Sequence, residues 1–157
     1  MNARVSVAII LVAALLGLAP AAAQAADPEG SVHDPSAFRA PIDGARIISH
    51  YGHRHGRRHE GIDLKAAYRA PIFAAFRGKV VQAGPGMSGY GNTVTIDHGE
   101  GVVTRYAHLY GWAVRAGQWV EQGDHIGSEG QTGSASTYHL HYEVLVNGAP
   151  RNPQPYL

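Results

Sequence analysis

The sequence predicts an all-β domain, a compact antiparallel β-sheet arranged as a sandwich or open barrel with almost no helix. Three observations carry that expectation. Short runs rich in Val, Ile, Tyr and Thr recur between glycine-bearing turns, the spacing of small β domains. No window sustains the 3.6-residue apolar period of an amphipathic helix. Twenty glycines, each costly in a helix interior, weigh against long helices.

Taken in order, the chain opens with a single basic residue, Arg4, and a nearly uninterrupted apolar run over residues 5–18. Ala23-Gln24-Ala25 follows with a small-x-small pattern, so residues 1–25 read as a secretory signal peptide cleaved after Ala25. An uncleaved anchor is the alternative, but the run is short for a bilayer span, and no stable membrane span is expected after cleavage. Residues 26–37, polar and carrying Pro and Gly, read as a flexible lead. One domain is expected over 38–157, with strands over 45–51, 71–75, 78–84, 92–97, 101–109 and 139–146. The segment Asn92-Thr93-Val94-Thr95-Ile96-Asp97 alternates polar and apolar as a half-buried strand should. His98-Gly99-Glu100-Gly101 and Asn147-Gly148 read as hairpin connections.

A net charge of +1 argues against a dedicated nucleic-acid binder. With no cysteine, the chain can form no disulfide, use no thiolate nucleophile and carry no lipid on an N-terminal Cys. The one basic cluster, Arg54-His55-Gly56-Arg57-Arg58, is either a solvated loop or a grip on an anionic substrate.

The most informative feature is His139-Leu140-His141 at the head of the last long strand-like run. Side chains alternate along a strand, so both imidazoles face one way and can meet one metal ion or one substrate. His59-Glu60-Gly61-Ile62-Asp63 is a second candidate. Read as a helix it would mimic HExxH with Glu60 as general base. The glycines around it and the absence of an apolar face favour an extended segment, in which His59 and Asp63 share a face, Gly61 leaves space for an ion and Glu60 points away.

With Tyr106-Ala107-His108-Leu109 between these two motifs, the sequence resembles the lysostaphin/LytM-type zinc metalloendopeptidases of cell walls. The likeness extends through Pro41-Ile42-Asp43-Gly44, Ser49-His50-Tyr51-Gly52, Gly78-Lys79-Val80-Val81, Tyr90-Gly91-Asn92, Ile96-Asp97-His98-Gly99, Gly123-Asp124 and Asn152-Pro153. The resemblance implies a LytM-type, duplicated-hybrid-motif-like fold and one Zn2+ per domain. It implies His59, Asp63 and His141 as metal ligands, and His108 and His139 as catalytic histidines beside them. Two imidazoles and one carboxylate leave a fourth tetrahedral position for water or the scissile carbonyl, which is how a catalytic zinc works. One of His108 and His139 would accept the water proton, and the other would stabilise charge or protonate the leaving amine.

Family members commonly carry Ser-Thr-Gly-Pro before the HxH, whereas this chain has Ala135-Ser136-Thr137-Tyr138. Loss of Gly-Pro frees the backbone that delivers His139, and Tyr138 either hydrogen-bonds at the groove or only packs. His33, His50 and His125 read as solvated or core-satisfied, His98 as a turn residue, and His53 and His55 as loop residues more readily than as substrate contacts.

The expected function is an exported zinc metalloendopeptidase, periplasmic or secreted, acting on peptidoglycan peptide stems, with room for a regulatory protein partner. Two other functions compete. One is a non-catalytic LytM-like activator of a cell-wall amidase, though such relatives have lost metal ligands and all five site residues are present here. The other is a peptidase of glycine-rich secreted or host proteins.

Overall fold

The computed structural model describes residues 30–54 and 56–157, and the expected signal peptide lies outside the described residues. Thirteen strands follow one another: β1 (Arg46–Ser49), β2 (Gly52–Arg54), β3 (Arg57–His59), β4 (Ile62–Lys65), β5 (Pro71–Phe73), β6 (Gly78–Pro85), β7 (Asn92–Asp97), β8 (Val102–Leu109), β9 (Gly111–Trp112), β10 (Trp119–Val120), β11 (His125–Ser128), β12 (Leu140–Val146) and β13 (Ala149–Arg151). The helical content of the described residues is two 3-10 turns, Pro35–Ala37 and Gln154–Tyr156. None of their helices is long and apolar enough to cross a membrane.

The main sheet runs β1-β4-β12-β8-β7-β6-β10, with β13 paired to β12, and every pairing in it is antiparallel. A three-stranded sheet, β5-β11-β9, and the separate β2–β3 hairpin complete the topology. β8 alternates as its sequence demands: Val102, Thr104 and Tyr106 are buried while Val103 and Arg105 are less so. β12, flanked on both sides, is buried from Leu140 to Val144. One core takes Ile72 and Ile126 from the smaller sheet and Val80, Ile96, Tyr106 and Leu140 from the larger, so the two sheets share a single apolar interior.

The turn chemistry follows the sequence. Asn147 and Gly148 both have positive φ, 52° and 76°, the requirement of the two-residue hairpin that joins β12 to β13. Ordered packing begins ahead of Phe38: Asp34 caps the first 3-10 turn through Ser36, and Val32 is buried in the core. From residue 30 on, the expected flexible lead is therefore structured.

His98 is more than a turn residue. Its ring is edge-on to Phe38 and Phe76. Nδ1 donates to the Arg77 carbonyl and Nε2 pairs with Thr104 Oγ1, both at 2.7 Å. Burial outweighs the help of that carbonyl and of Asp97, and holds the imidazole down at about 4, against 6.5 when free. The unfolded chain therefore takes up a proton before the folded one. The resulting stabilisation is complete above pH 6.5 and is lost as pH falls toward 4, a difference of about 3 kcal/mol. Urea unfolding in chelator at pH 7.5 and 4.5 is expected to show His98→Gln losing less stability on acidification than the native chain by about that amount. Equal losses would remove His98 from the acid response.

Candidate active site

The register of the main sheet assembles the site. β12 lies between β4 and β8, and within it His141 pairs directly with Asp63 on one side and Ala107 on the other. His59 ends β3, and the two-residue link Glu60-Gly61 leads into β4. A Cβ at Gly61 would meet the Tyr142 carbonyl oxygen at 2.4 Å, and Glu143 Cγ and His141 Cε1 at 2.9 Å. The glycine thus makes room for β12 rather than for an ion, as its place between His59 and Asp63 had suggested.

His59, Asp63 and His141 are buried, and their ligating atoms lie within 4.8 Å of one another, the one such group among the described residues. His59 Nε2 is 3.1 Å from both Asp63 Oδ1 and His141 Nδ1, and His141 Nδ1 is 2.9 Å from Asp63 Oδ1. Donors bound about 2.0–2.1 Å from a tetrahedral zinc ion lie roughly 3.3 Å apart, so these separations suit the ion with little movement. The outward nitrogens are held as well: His59 Nδ1 donates to the His50 carbonyl at 2.8 Å, and His141 Nε2 to Glu143 Oε1 at 2.9 Å. With those protons committed outward, three electron-rich atoms converge, an arrangement stabilised by a cation. Without one, a proton serves. Burial disfavours charge on His141, but its bonds to Asp63 and Glu143 reverse the balance and raise its pKa. Burial likewise pushes the Asp63 carboxyl up, and the imidazoles of His141 and His59 beside it overcome this to hold it well below the usual carboxylate range.

Glu143, fully buried, is the anchor of this arrangement. Tyr90 donates its hydroxyl to Oε1 at 2.6 Å, and Arg105, its cross-strand partner, donates to Oε2 at 2.6 Å. Charge-assisted bonds this short fix the carboxylate, and through it the tautomer and orientation of His141.

His108 and His139 lie against each other, ring centroids 4.8 Å apart and edge to face. Each points Nδ1 at a backbone carbonyl at 2.8 Å, His108 at Thr132 and His139 at Thr137, which leaves Nε2 with a free lone pair. His139 Nε2 is 3.5 Å from Asp63 Oδ1. Burial, aided by the neighbouring imidazoles, holds His108 down at about 4, and burial lowers His139 as well, so both rings are neutral at pH 7. His108 has φ of +61°, a left-handed conformation costing a non-glycine residue on the order of 1–2 kcal/mol. It is held there by the bond of its N–H to the Tyr90 carbonyl and by the Thr132 contact.

All five residues line one open cleft of about 380 Å3. Arg54, Arg58, Glu60, Tyr90 and Ser134 to Ser136 form part of its wall. Glu60 borders the cleft and stands outside the metal-binding group. Tyr138 packs on Tyr68, beneath the Lys65 ammonium 4.1 Å from its ring, and is not among the residues lining the cleft. His33 pairs with Glu100 on the surface, His50 lends only its carbonyl, His125 packs on Phe73, His53 is exposed on the hairpin, and His55 lies outside the described residues. The residues that sequence reasoning missed are Tyr90, Arg105 and Glu143. Of these Glu143 carried a signal, since it shares the face of His139 and His141 two positions further on, and Tyr90 stood in the Tyr90-Gly91-Asn92 motif of the family likeness.

Residues 57–153 match the family described as Peptidase family M23. Among curated relatives, the "Murein hydrolase activator NlpD" of Salmonella dublin is 38% identical over 122 residues, covering 78% of this chain and 32% of the relative. The "Peptidoglycan DD-endopeptidase ShyC" of Vibrio cholerae is 36% identical over 135 residues, covering 82% and 31%. The chain thus spans about a third of the length of these relatives. Among solved structures, a "zinc containing peptidase" from Vibrio cholerae superposes with TM-score 0.66 at 33% identity, over 74% of this chain and 40% of that one. The catalytic domain of lysostaphin from Staphylococcus simulans does so with TM-score 0.66 at 30% identity, over 71% and 91%.

Proposed function

The chain belongs to peptidase family M23, and from that membership we propose that it is an exported zinc metalloendopeptidase hydrolysing peptide cross-links of bacterial peptidoglycan. The observation that carries the reading is the co-location of a complete two-histidine, one-carboxylate donor set with two neutral histidines in one open cleft. A solved neighbour described as a zinc-containing peptidase and a relative described as a DD-endopeptidase support the metal and the substrate.

His59 Nε2, Asp63 Oδ1 and His141 Nδ1 would hold the ion. When bound, zinc supplies Lewis acidity that polarises the scissile carbonyl and makes water a nucleophile near neutral pH. The remaining work belongs to the side chains. His108 and His139, with Nδ1–H fixed on backbone carbonyls, present Nε2 as proton acceptor. Either can take a proton from the attacking water and return it to the departing amine. The Glu143–His141 bond keeps the donor set aligned while this happens.

The second reading is a non-catalytic activator of a wall amidase, favoured by the similarity to a murein hydrolase activator. Purified protein incubated with cross-linked muropeptide dimers, with zinc and with chelator, separates the two. Monomers detected by mass spectrometry in the zinc sample and absent in chelator are the expected result. Intact dimers in the zinc-loaded sample would end the peptidase reading, and a rise in the rate of an added amidase would then support the activator.

A further inference from the structure

We propose that the β2–β3 hairpin is a carboxylate-binding subsite of the cleft. In it, Arg57 and Arg58 hold a free carboxylate of the substrate's peptide stem and so select acidic stems over neutral glycine bridges. The inference rests on the peptidase reading above. The hairpin forms a two-stranded sheet of its own and delivers His59 to the metal-binding group with Arg58 immediately before it. Arg54, Arg57, Arg58 and His59 line a second open recess of about 670 Å3. Arg54, Arg58 and His59 also line the catalytic cleft, so the two spaces share a wall.

The three guanidiniums differ in what they already hold. Arg54 is committed, donating to Ser49 Oγ and to Asp63 Oδ2. Arg58 donates to the uncharged phenol of Tyr51 at 2.6 Å, and Tyr51 in turn donates to the Pro150 carbonyl at 3.0 Å. This braces the side chain without neutralising it. Arg57 forms no hydrogen bond or ion pair with any described side chain, and no described carboxylate lies within 4.0 Å of Arg57 or Arg58. The nearby acids on the cleft wall are Glu60 and Asp63, and the charge of Asp63 is already met by His59, His141 and Arg54. Arg58 thus brings an unpaired positive charge to the wall of the catalytic cleft, and Arg57 a second to the adjoining recess, against the one remaining carboxylate of Glu60.

A guanidinium fork matches a carboxylate in charge and in geometry. Stems built on diaminopimelate carry free carboxylates close to the cross-link, whereas a glycine bridge carries none along its length. Arg58, braced from behind by Tyr51, is pre-oriented for such a group, and Arg57 adds the second positive charge.

The test compares three zinc-loaded proteins, native, Arg57→Gln and Arg57→Gln/Arg58→Gln, on diaminopimelate dimers with free carboxylates and on the same dimers amidated. The native protein is expected to prefer the acidic dimers, with a preference that falls as salt rises from 50 to 300 mM. Arg57→Gln is expected to raise KM on acidic dimers about fivefold while leaving kcat nearly unchanged and the amidated dimers unaffected, and the double variant to raise KM on acidic dimers further. Arg57→Gln removes no internal bond, so it keeps the test open should the double variant lose its hairpin. Equal kcat/KM on acidic and amidated dimers by the native protein would overturn the subsite and leave the peptidase reading standing. If no dimer is cleaved, calorimetric binding of acidic against amidated dimers decides the subsite separately: tighter binding of the acidic form upholds it, and equal binding removes it.

Discussion

His141→Ala is expected to abolish stoichiometric zinc binding and, with it, turnover. His141 is the member of the donor set with the most support: it pairs with Asp63 across the β4–β12 register, lies within 3.1 Å of His59 Nε2, and is clamped from behind by Glu143. A structural zinc site with four ligands is worth about 10–16 kcal/mol, about 2.5–4 kcal/mol per ligand, so losing one donor lowers affinity roughly 10² to 10³-fold. Glu143 loses its imidazole donor but stays paired with Tyr90 and Arg105, so its charge remains compensated in the variant. Metal content by atomic absorption after gel filtration, read beside the thermal midpoint, separates loss of the ion from loss of the fold. A folded variant that retains one zinc per chain would show that His59 and Asp63 recruit another ligand, and the assignment of His141 would fail.

Much of the sheet was legible because its strands obey simple patterns. Asn92–Asp97 forms β7 with the expected ends, although Thr93 and Thr95 are buried with Val94 and Ile96 where a half-buried strand was expected, and the Asn147-Gly148 turn supplies the two positive φ values its hairpin needs. β3 escaped notice because Arg57-Arg58-His59 has no apolar face, its residues forming an exposed arm until His59 turns inward. β4 was legible only as part of one extended segment from His59 to Asp63, which the structure breaks at Glu60-Gly61, and Asp63 is buried together with Ile62 and Leu64 instead of facing solvent. The same limits divide the site. His59 with Asp63, and His139 with His141, were visible as short-range pairs. The clamp on His141 depends on which residue of β8 faces Glu143, and only the β8–β12 register brings Arg105 there. The left-handed backbone of His108 likewise arises from long-range contacts, since its N–H bonds to Tyr90 and its ring to Thr132. Local residue preference gives no hint of it.

The pair His108 and His139 leads to the second large expected effect, which differs in kind from the first. His139→Ala is expected to keep its zinc and lose about 10² to 10⁴ in kcat, the range associated with removing a positioned acid or base. The geometry argues for retained metal: His139 Nδ1 is spent on the Thr137 carbonyl, and Nε2 lies 3.5 Å from Asp63 Oδ1, outside the tight 2.9–3.1 Å triangle of the donor set. For His108 the comparison is best made with His108→Asn, because asparagine tolerates the left-handed backbone that alanine would strain. Its loss should be of the same order, again with zinc retained. If the two rings, 4.8 Å apart, pass one proton between water and leaving amine as a unit, the double variant should be scarcely slower than either single one. Multiplicative losses would instead assign them separate tasks. Loss of stoichiometric zinc in a folded His139→Ala protein, equal to that in His141→Ala, would place both histidines of the pair on the metal and undo the division between them.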